Sequence, residues 1–367
     1  MKRIFALGLS LLMLLSLTAC QQTADSNRAE QSGAAQSADS IQDPADASAA
    51  ADPADSSLLS IGELSDSGAV SSSPAPSQPE PEEQRAPRTF GCSMPADATL
   101  TEAAVAEELR AYLEGIGDSL ILAEPAPDAE AQKNQLKELS GQKVDAIFVC
   151  PVDGAGLEDA LQTLSDQDLP VFGFGEWDAA PNGVVAIIRS DEYNAGYVCG
   201  IDLAERCPNG GDVLVLEQTF SGAMMERAQG FMDAAEESGV ELVIADELEA
   251  NGDPDAAAKL VKDALKENPG LVAIFSTSDA DAAGALQAVN NSNCLVYSAD
   301  GSPELKAQLG KSQLAGLGAQ SPMGIAQALA DSANQHLDGE AVPEEDTVGT
   351  FLITAENGKE YGTDCWQ

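Results

Sequence analysis

From residue 89 onward, short apolar runs alternate with longer mixed segments, and this alternation predicts the architecture. The runs at 89–93, 119–123, 144–150, 170–174, 184–188, 212–217, 241–245, 271–276, 294–298, 316–319 and 350–354 are predicted strands. Many are rich in Val, Ile, Leu or Phe with little alternation, as in strands buried on both faces of a parallel sheet. Helix starts punctuate the segments between them. Asp253-Pro254, Ser302-Pro303 and Ser321-Pro322 each place an N-cap residue before a proline suited to the first helical position. Strand–helix alternation over 279 residues predicts an α/β fold with parallel sheets covered by helices on both faces. Ten or more strands strain a single open sheet, so two lobes are expected.

In such sheets the ligand crevice lies beyond the carboxyl ends of the strands. The residues just past the predicted strands are therefore site candidates: Ser93 and Met94, Pro151 to Asp153, Glu176 and Trp177, and Asp191. Glu217 and Gln218, Ser278 and Asp279, Asp300, and Gln320 extend the set. It contains hydrogen-bonding groups and one large aromatic but no nucleophile–base pair. Capture of a polar small molecule fits it better than catalysis, so no enzyme activity, cofactor or metal site is expected.

The amino-terminal part reads differently. Lys2 and Arg3 precede the 14-residue apolar run 4–17, which suits an export signal better than a membrane span. The run ends in Leu17-Thr18-Ala19-Cys20, which resembles a bacterial lipobox. A signal peptide at 1–19 and lipidation of Cys20 are the expectation, with an ordinary secretory signal as the alternative. Residues 21–88 contain no Phe, Tyr, Trp or Cys, and their composition buries too little apolar area to offset the entropy of ordering. A disordered, lipid-anchored linker over 20–88 is expected, spanning roughly 45–50 Å as a flexible coil.

Charge narrows the classes further. The chain has 367 residues, with 18 Lys and Arg against 61 Asp and Glu, for a formal charge of −43. Such a chain is repelled by phosphate backbones, which excludes nucleic acid as a partner. His336 is the one histidine, so a multi-histidine metal site is excluded; it is read as a polar residue at a helix C-terminus. Seven Cys without a CxxC argue against a zinc ribbon or redox pair. No disulfide is expected between Cys199 and Cys207, or between lobes.

Six stretches in order carry a resemblance. They are Val144 to Asp153, Ser190 to Gly196, Arg227-Ala228-Gln229-Gly230-Phe231, Ser278-Asp279 with Gly284-Ala285-Leu286, Asp300-Gly301, and Gln320-Ser321-Pro322-Met323-Gly324. Together they resemble the type I periplasmic sugar-binding proteins, the ribose- and galactose-binding group. The resemblance covers essentially all of 89–367 and implies two doubly wound parallel-sheet lobes joined by a three-segment hinge. Crossings are implied near Asp191, after Gln320 and near Thr350. The first lobe would span about 89–190 plus 321–349, the second 191–320 plus 350–367.

The resemblance implies that Arg227, Asp300 and Gln320 hold sugar hydroxyls, a guanidinium fork and a carboxylate being well matched to vicinal hydroxyls. Arg227 could instead be a surface helix ion pair. Asp191 is implied to be a hinge or helix-cap residue. Removal of the gripping groups is expected to spare folding, since they would face a water-filled cleft. Departures are plain. The family's aromatic pair after the first strand is missing, Gly175-Glu176 stands where an Asp-Arg pair is expected, and Ser278 replaces an Asn. Trp177 is the expected stacking face, with Phe174 as a second candidate. A modified sugar, a polyol or a cationic hydroxylated ligand fits this list as well as an ordinary pentose or hexose. The implied function is that of a monomeric solute-binding lipoprotein on the outer face of the cell membrane, serving an ABC permease. A sensory lipoprotein acting through a membrane receptor, and a nucleoside-binding lipoprotein of the same fold, are the alternatives.

Overall fold

The structure is a computed structural model. It describes residues 85–177, 181–218, 221–290, 292–362 and 365–367, all within one compact unit. The expected signal peptide, Cys20 and the 20–88 stretch up to residue 84 lie outside the described residues. The strands are β1 (Thr89–Ser93), β2 (Ser119–Leu122), β3 (Ala146–Val149), β4 (Val171–Phe174), β5 (Ala186–Ser190) and β6 (Gly211–Glu217). They continue with β7 (Leu242–Glu249), β8 (Leu271–Ser276), β9 (Leu295–Ser298), β10 (Leu314–Ala319), β11 (Glu345–Val348) and β12 (Phe351–Thr354). The helices are α1 (Leu100–Gly115), α2 (Ala129–Gly141), α3 (Gly154–Ser165), α4 (Glu192–Arg206) and α5 (Gly222–Glu237). After them come α6 (Pro254–Glu267), α7 (Asp279–Ala288), α8 (Pro303–Lys306) and α9 (Pro322–Leu337).

Two six-stranded sheets result, ordered β11-β5-β4-β3-β1-β2 and β12-β10-β9-β8-β6-β7. Among the described residues every pairing is parallel except β10 with β12. The central strands β3, β4 and β10 are buried along their whole length, which is why they read as unbroken apolar runs. In the first sheet Phe90, Phe148 and Phe172 face Leu109 of α1 and Leu329 of α9. Ile147, Val149 and Val171 face Leu136 of α2 and Leu161 of α3 on the other side. His336 sits half-buried in the last turn of α9, its ring edge-on to Phe172 with centroids 5.9 Å apart.

The sequence reading misses β11 and stops β7 short. Both are sheet edges, and both carry acids: Glu345 and Asp346 in β11, and Asp246, Glu247 and Glu249 in β7. An edge needs no second buried face, and charge there discourages pairing with another chain, so neither segment reads as an apolar run. The linker expected to reach residue 88 also ends earlier. The Arg85 guanidinium donates to both oxygens of Asp118 at 2.7 and 2.5 Å, and the Arg88 amide donates to the same carboxylate at 2.8 Å. The Arg88 side chain bonds Asn334 at 2.6 Å and pairs with Asp338 on α9. Two guanidiniums that find fixed carboxylates anchor a stretch whose apolar content is too low to anchor it.

The chain passes between the sheets three times: from β5 to α4, from β10 to α9, and from β11 to β12. At the first crossing the Asp191 side chain accepts from Asn194 N at 2.9 Å and caps α4. The other strands meet it there. Asn194 donates to the Thr350 carbonyl at 2.9 Å, the Thr350 hydroxyl donates to Asp191 O at 3.0 Å, and Asp191 N donates to Val348 O at 3.0 Å. The predicted caps Asp253, Ser302 and Ser321 each accept from first-turn amides. All six described cysteines are free thiols.

Candidate functional site

A cavity of about 630 Å³ lies between the two sheets' carboxyl ends, bordered by residues of both lobes. That is within the size range of small-molecule sites. Arg227 reaches it from α5, and its position is set by how α5 packs on α4. A Cβ on Gly196 of α4 would fall 1.8 Å from the Arg227 carbonyl oxygen, and one on Gly230 of α5 would fall 2.0 Å from the Tyr193 carbonyl. Only glycines allow these backbones so close, and the contact brings the start of α4 beside the Arg227 side chain.

There the guanidinium is bonded through Nε and Nη1. Arg227 Nε donates to Glu192 at 2.5 Å, and Nη1 donates to the Thr277 carbonyl at 2.6 Å, the Ala299 carbonyl at 2.6 Å and Asp300 Oδ1 at 2.8 Å. Its side chain is 3 % exposed. Burial works against the cation, but Glu192 and Asp300 outweigh it and hold the guanidinium pKa above its usual value. Burial likewise raises the Glu192 carboxyl despite Arg227 beside it.

Asp300 is shared further. Gln320 Nε2 donates to Asp300 Oδ1 at 2.9 Å, the Ser190 hydroxyl donates to Gln320 Oε1 at 2.7 Å, and Asp279 N donates to Asp300 Oδ2 at 2.9 Å. Gln320 thus joins the end of β5 in one lobe to Asp300 in the other. Asp279 is buried and accepts from Ser298 Oγ at 2.6 Å and Ser302 N at 2.7 Å. Burial, then the nearby Asp300 charge, push its carboxyl up to about 6. Ser278 caps α7 and accepts from Gln218 Nε2 at 3.2 Å.

The structure therefore brings Arg227, Asp300, Gln320, Ser278, Glu176 and Trp177 to one cavity. Two expectations need correction. Arg227 is neither a surface ion pair nor a group facing open water; it is a buried tie among helix, strand ends and two carboxylates. Trp177 does not present a free stacking face. It is 5 % exposed, packs with Leu157 and Ile187, lies against Gly173, and donates from Nε1 to the Phe174 carbonyl at 3.0 Å. Phe174 is also core, packed with Phe148 and Phe172. Glu176, expected at the ligand site, borders the cavity. It crosses the cleft, accepting from Gly222 N at 2.5 Å and from Ser221 Oγ at 3.0 Å at the start of α5.

Several strand-end candidates serve other ends. Gln132, buried on α2, satisfies Ser93, the Cys150 carbonyl and Val152 N, so the turns after β1 and β3 are occupied by structure. Sequence reasoning missed Glu192, Glu102, Arg189 and Met224, which border the cavity from helix first turns or from within β5. Glu192 directly follows Asp191, and extending the strand-end reading by one residue would have found it.

Comparison with known proteins agrees with this geometry. Residues 90–341 match the model of the periplasmic binding protein domain, and the chain belongs to that family. It is 26 % identical over 229 residues to the ribose import binding protein of Bacillus subtilis, covering 62 % of this chain and 74 % of that one. The Escherichia coli ribose import binding protein is 23 % identical over 245 residues, covering 66 % of this chain and 82 % of that one. Among solved structures, an ABC transporter periplasmic solute-binding protein from Actinobacillus succinogenes with bound D-allose superposes with a TM-score of 0.67 at 22 % identity. That match covers 75 % of this chain and all of the other. The Caulobacter myo-inositol binding protein superposes with a TM-score of 0.64 at 22 % identity, covering 75 % and 97 %. The two-lobed parallel-sheet fold is that of type I periplasmic sugar-binding proteins, which are substrate-binding components of transporters rather than enzymes.

Proposed function

We propose that this chain is an extracytoplasmic solute-binding lipoprotein, held to the cell membrane through Cys20, that delivers a sugar-like polar molecule to an ABC permease. The observation that carries the ligand class is the convergence of Arg227, Asp300, Gln320 and Ser278 on one cavity between two lobes. The carboxylate and amide there have lone pairs and protons suited to vicinal hydroxyls. Closure around the ligand would bend the three crossings, whose Asp191, Asn194 and Thr350 bonds supply a compact hinge. The export signal and lipobox support the location, and the names of the relatives support the transport role. No helix among the described residues is long and apolar enough to cross a membrane.

Native mass spectrometry of the purified full chain tests this reading. A sugar-sized adduct is expected, lost on mild heating and absent from Asp300→Ala. If no adduct appears, and no pentose, hexose, polyol or amine derivative raises the melting temperature, the reading is wrong. An acylated Cys20 peptide is the expected mark of the anchor.

A further inference from the structure

Seven carboxylates and two guanidiniums border the cavity, and each guanidinium has a carboxylate partner. Arg227 is held by Glu192, Asp300 and two carbonyls. Arg189 pairs at 3.2 Å with Glu345, which lies on the β11 edge outside the cavity. Asp97, Glu102, Glu176 and Glu226 then border the cavity without an ion-pair partner among the described residues. Glu102 is the best placed of these. A Cβ on Gly175 would lie 2.7 Å from Glu102 Oε1, so this half-buried carboxylate covers the bare backbone at the end of β4.

Helix N-termini, the usual anion sites, are closed by the protein's own groups. Thr99 and Glu102 cap α1, Asp191 caps α4, and Ser278 caps α7. The start of α5 takes Ser221 from its own lobe and the Glu176 carboxylate from the other. An anion entering the cleft meets seven carboxylates, and the buried, unpartnered Arg189 Nε offsets only part of that repulsion. A cation meets the reverse, and in a partly desolvated cleft the attraction is screened less than at the surface.

We infer that the cleft selects a polyhydroxylated cation, an amine-bearing sugar or polyol, over its neutral parent and against the corresponding acid. This deepens the solute-binding reading and rests on it. The hydroxyls engage Asp300 and Gln320, and the ammonium lies on the side of Glu102 and Glu176.

The test is calorimetric titration of the full chain with matched probes in two series. These are D-galactosamine, D-galactose and D-galacturonate, and D-glucosamine, D-glucose and D-glucuronate. In a series that binds, the amine is expected to bind about tenfold or more tighter than the neutral parent, with the acid not binding. High salt should weaken the amine and leave the parent unchanged. Glu102→Gln should lower the amine-to-parent affinity ratio by about three- to tenfold. A neutral parent or an acid that binds as tightly as its amine, or an absence of binding by both amines, overturns the inference. Neutral-sugar binding would still leave the solute-binding reading standing, so the two failures are separable.

Discussion

The second lobe brings to the cleft side chains already bonded to one another, whereas the first lobe brings groups that reach across. Arg227, Asp300, Asp279 and Ser278 are locked by hydrogen bonds within their own lobe before any ligand arrives. Glu176 of the first lobe finds its partners only on the opposite side, at Ser221 and Gly222. The difference teaches that a binding cleft can divide its labour. One wall is bonded within itself, so that little ordering would be left for a ligand to impose, and the other wall reaches across to it.

The sharpest way to break this comparison is Arg227→Ala. It strips the partner from the part-buried Glu192 and Asp300, so a stability loss of about 3–5 kcal/mol is expected in denaturant unfolding. Ordinary folding with lost binding would show instead that the second wall is not preorganised by this residue. Gly196→Ala attacks the same wall through its backbone. A Cβ facing the Arg227 carbonyl must part α4 from α5, for about 1–3 kcal/mol or more. Its binding should fall with its melting temperature, whereas a change at Gly115 of α1, where a Cβ would meet nothing, should leave both.

A smaller effect is expected from pH. Asp279 is raised in the folded state to about 6, so between its unfolded value near 4 and 6 the native state holds more protons than the unfolded one. Its contribution to stability is therefore fully present below about pH 4 and is lost as pH rises through 6. Relative to Asp279→Asn, the wild type should lose about 1–3 kcal/mol over that window, read from urea midpoints. Equal slopes for both proteins would remove Asp279 from the account. The mildest change is Glu176→Gln, which removes an exposed anion from a helix N-terminus and should cost about 0.3–1 kcal/mol of closure. Small-angle scattering of the ligand-free protein should then show a larger radius of gyration, and an unchanged one would deny that the first wall acts by reaching across.

Much of the fold was legible because its signals are local or come from burial on two faces. Val171 to Phe174 and Leu314 to Ala319 are buried throughout, and such strands must be apolar wherever they sit. Ser302 and Ser321 cap the helices that follow them through bonds spanning only three residues. The edge strand at Glu345–Val348 was not legible, since its pairing with β5 depends on a neighbour more than 150 residues away and its own residues are polar.

The site divides along the same line. Placement of Asp300 and Gln320 at the ends of strands follows from sequence, because strand ends in a parallel sheet converge on one edge. What each side chain does there was decided by tertiary structure. Arg227 carries no sign in sequence that Glu192, thirty-five positions earlier, will hold its Nε, or that two carbonyls will complete its bonds. Trp177 carries none that Gly173 leaves room for an indole to pack inward rather than face the cleft. Charge count and apolar pattern are sums over a chain and survive without coordinates. The partner of a buried charge depends on which backbones come close enough to touch, here through Gly196 and Gly230, and only the folded chain specifies that.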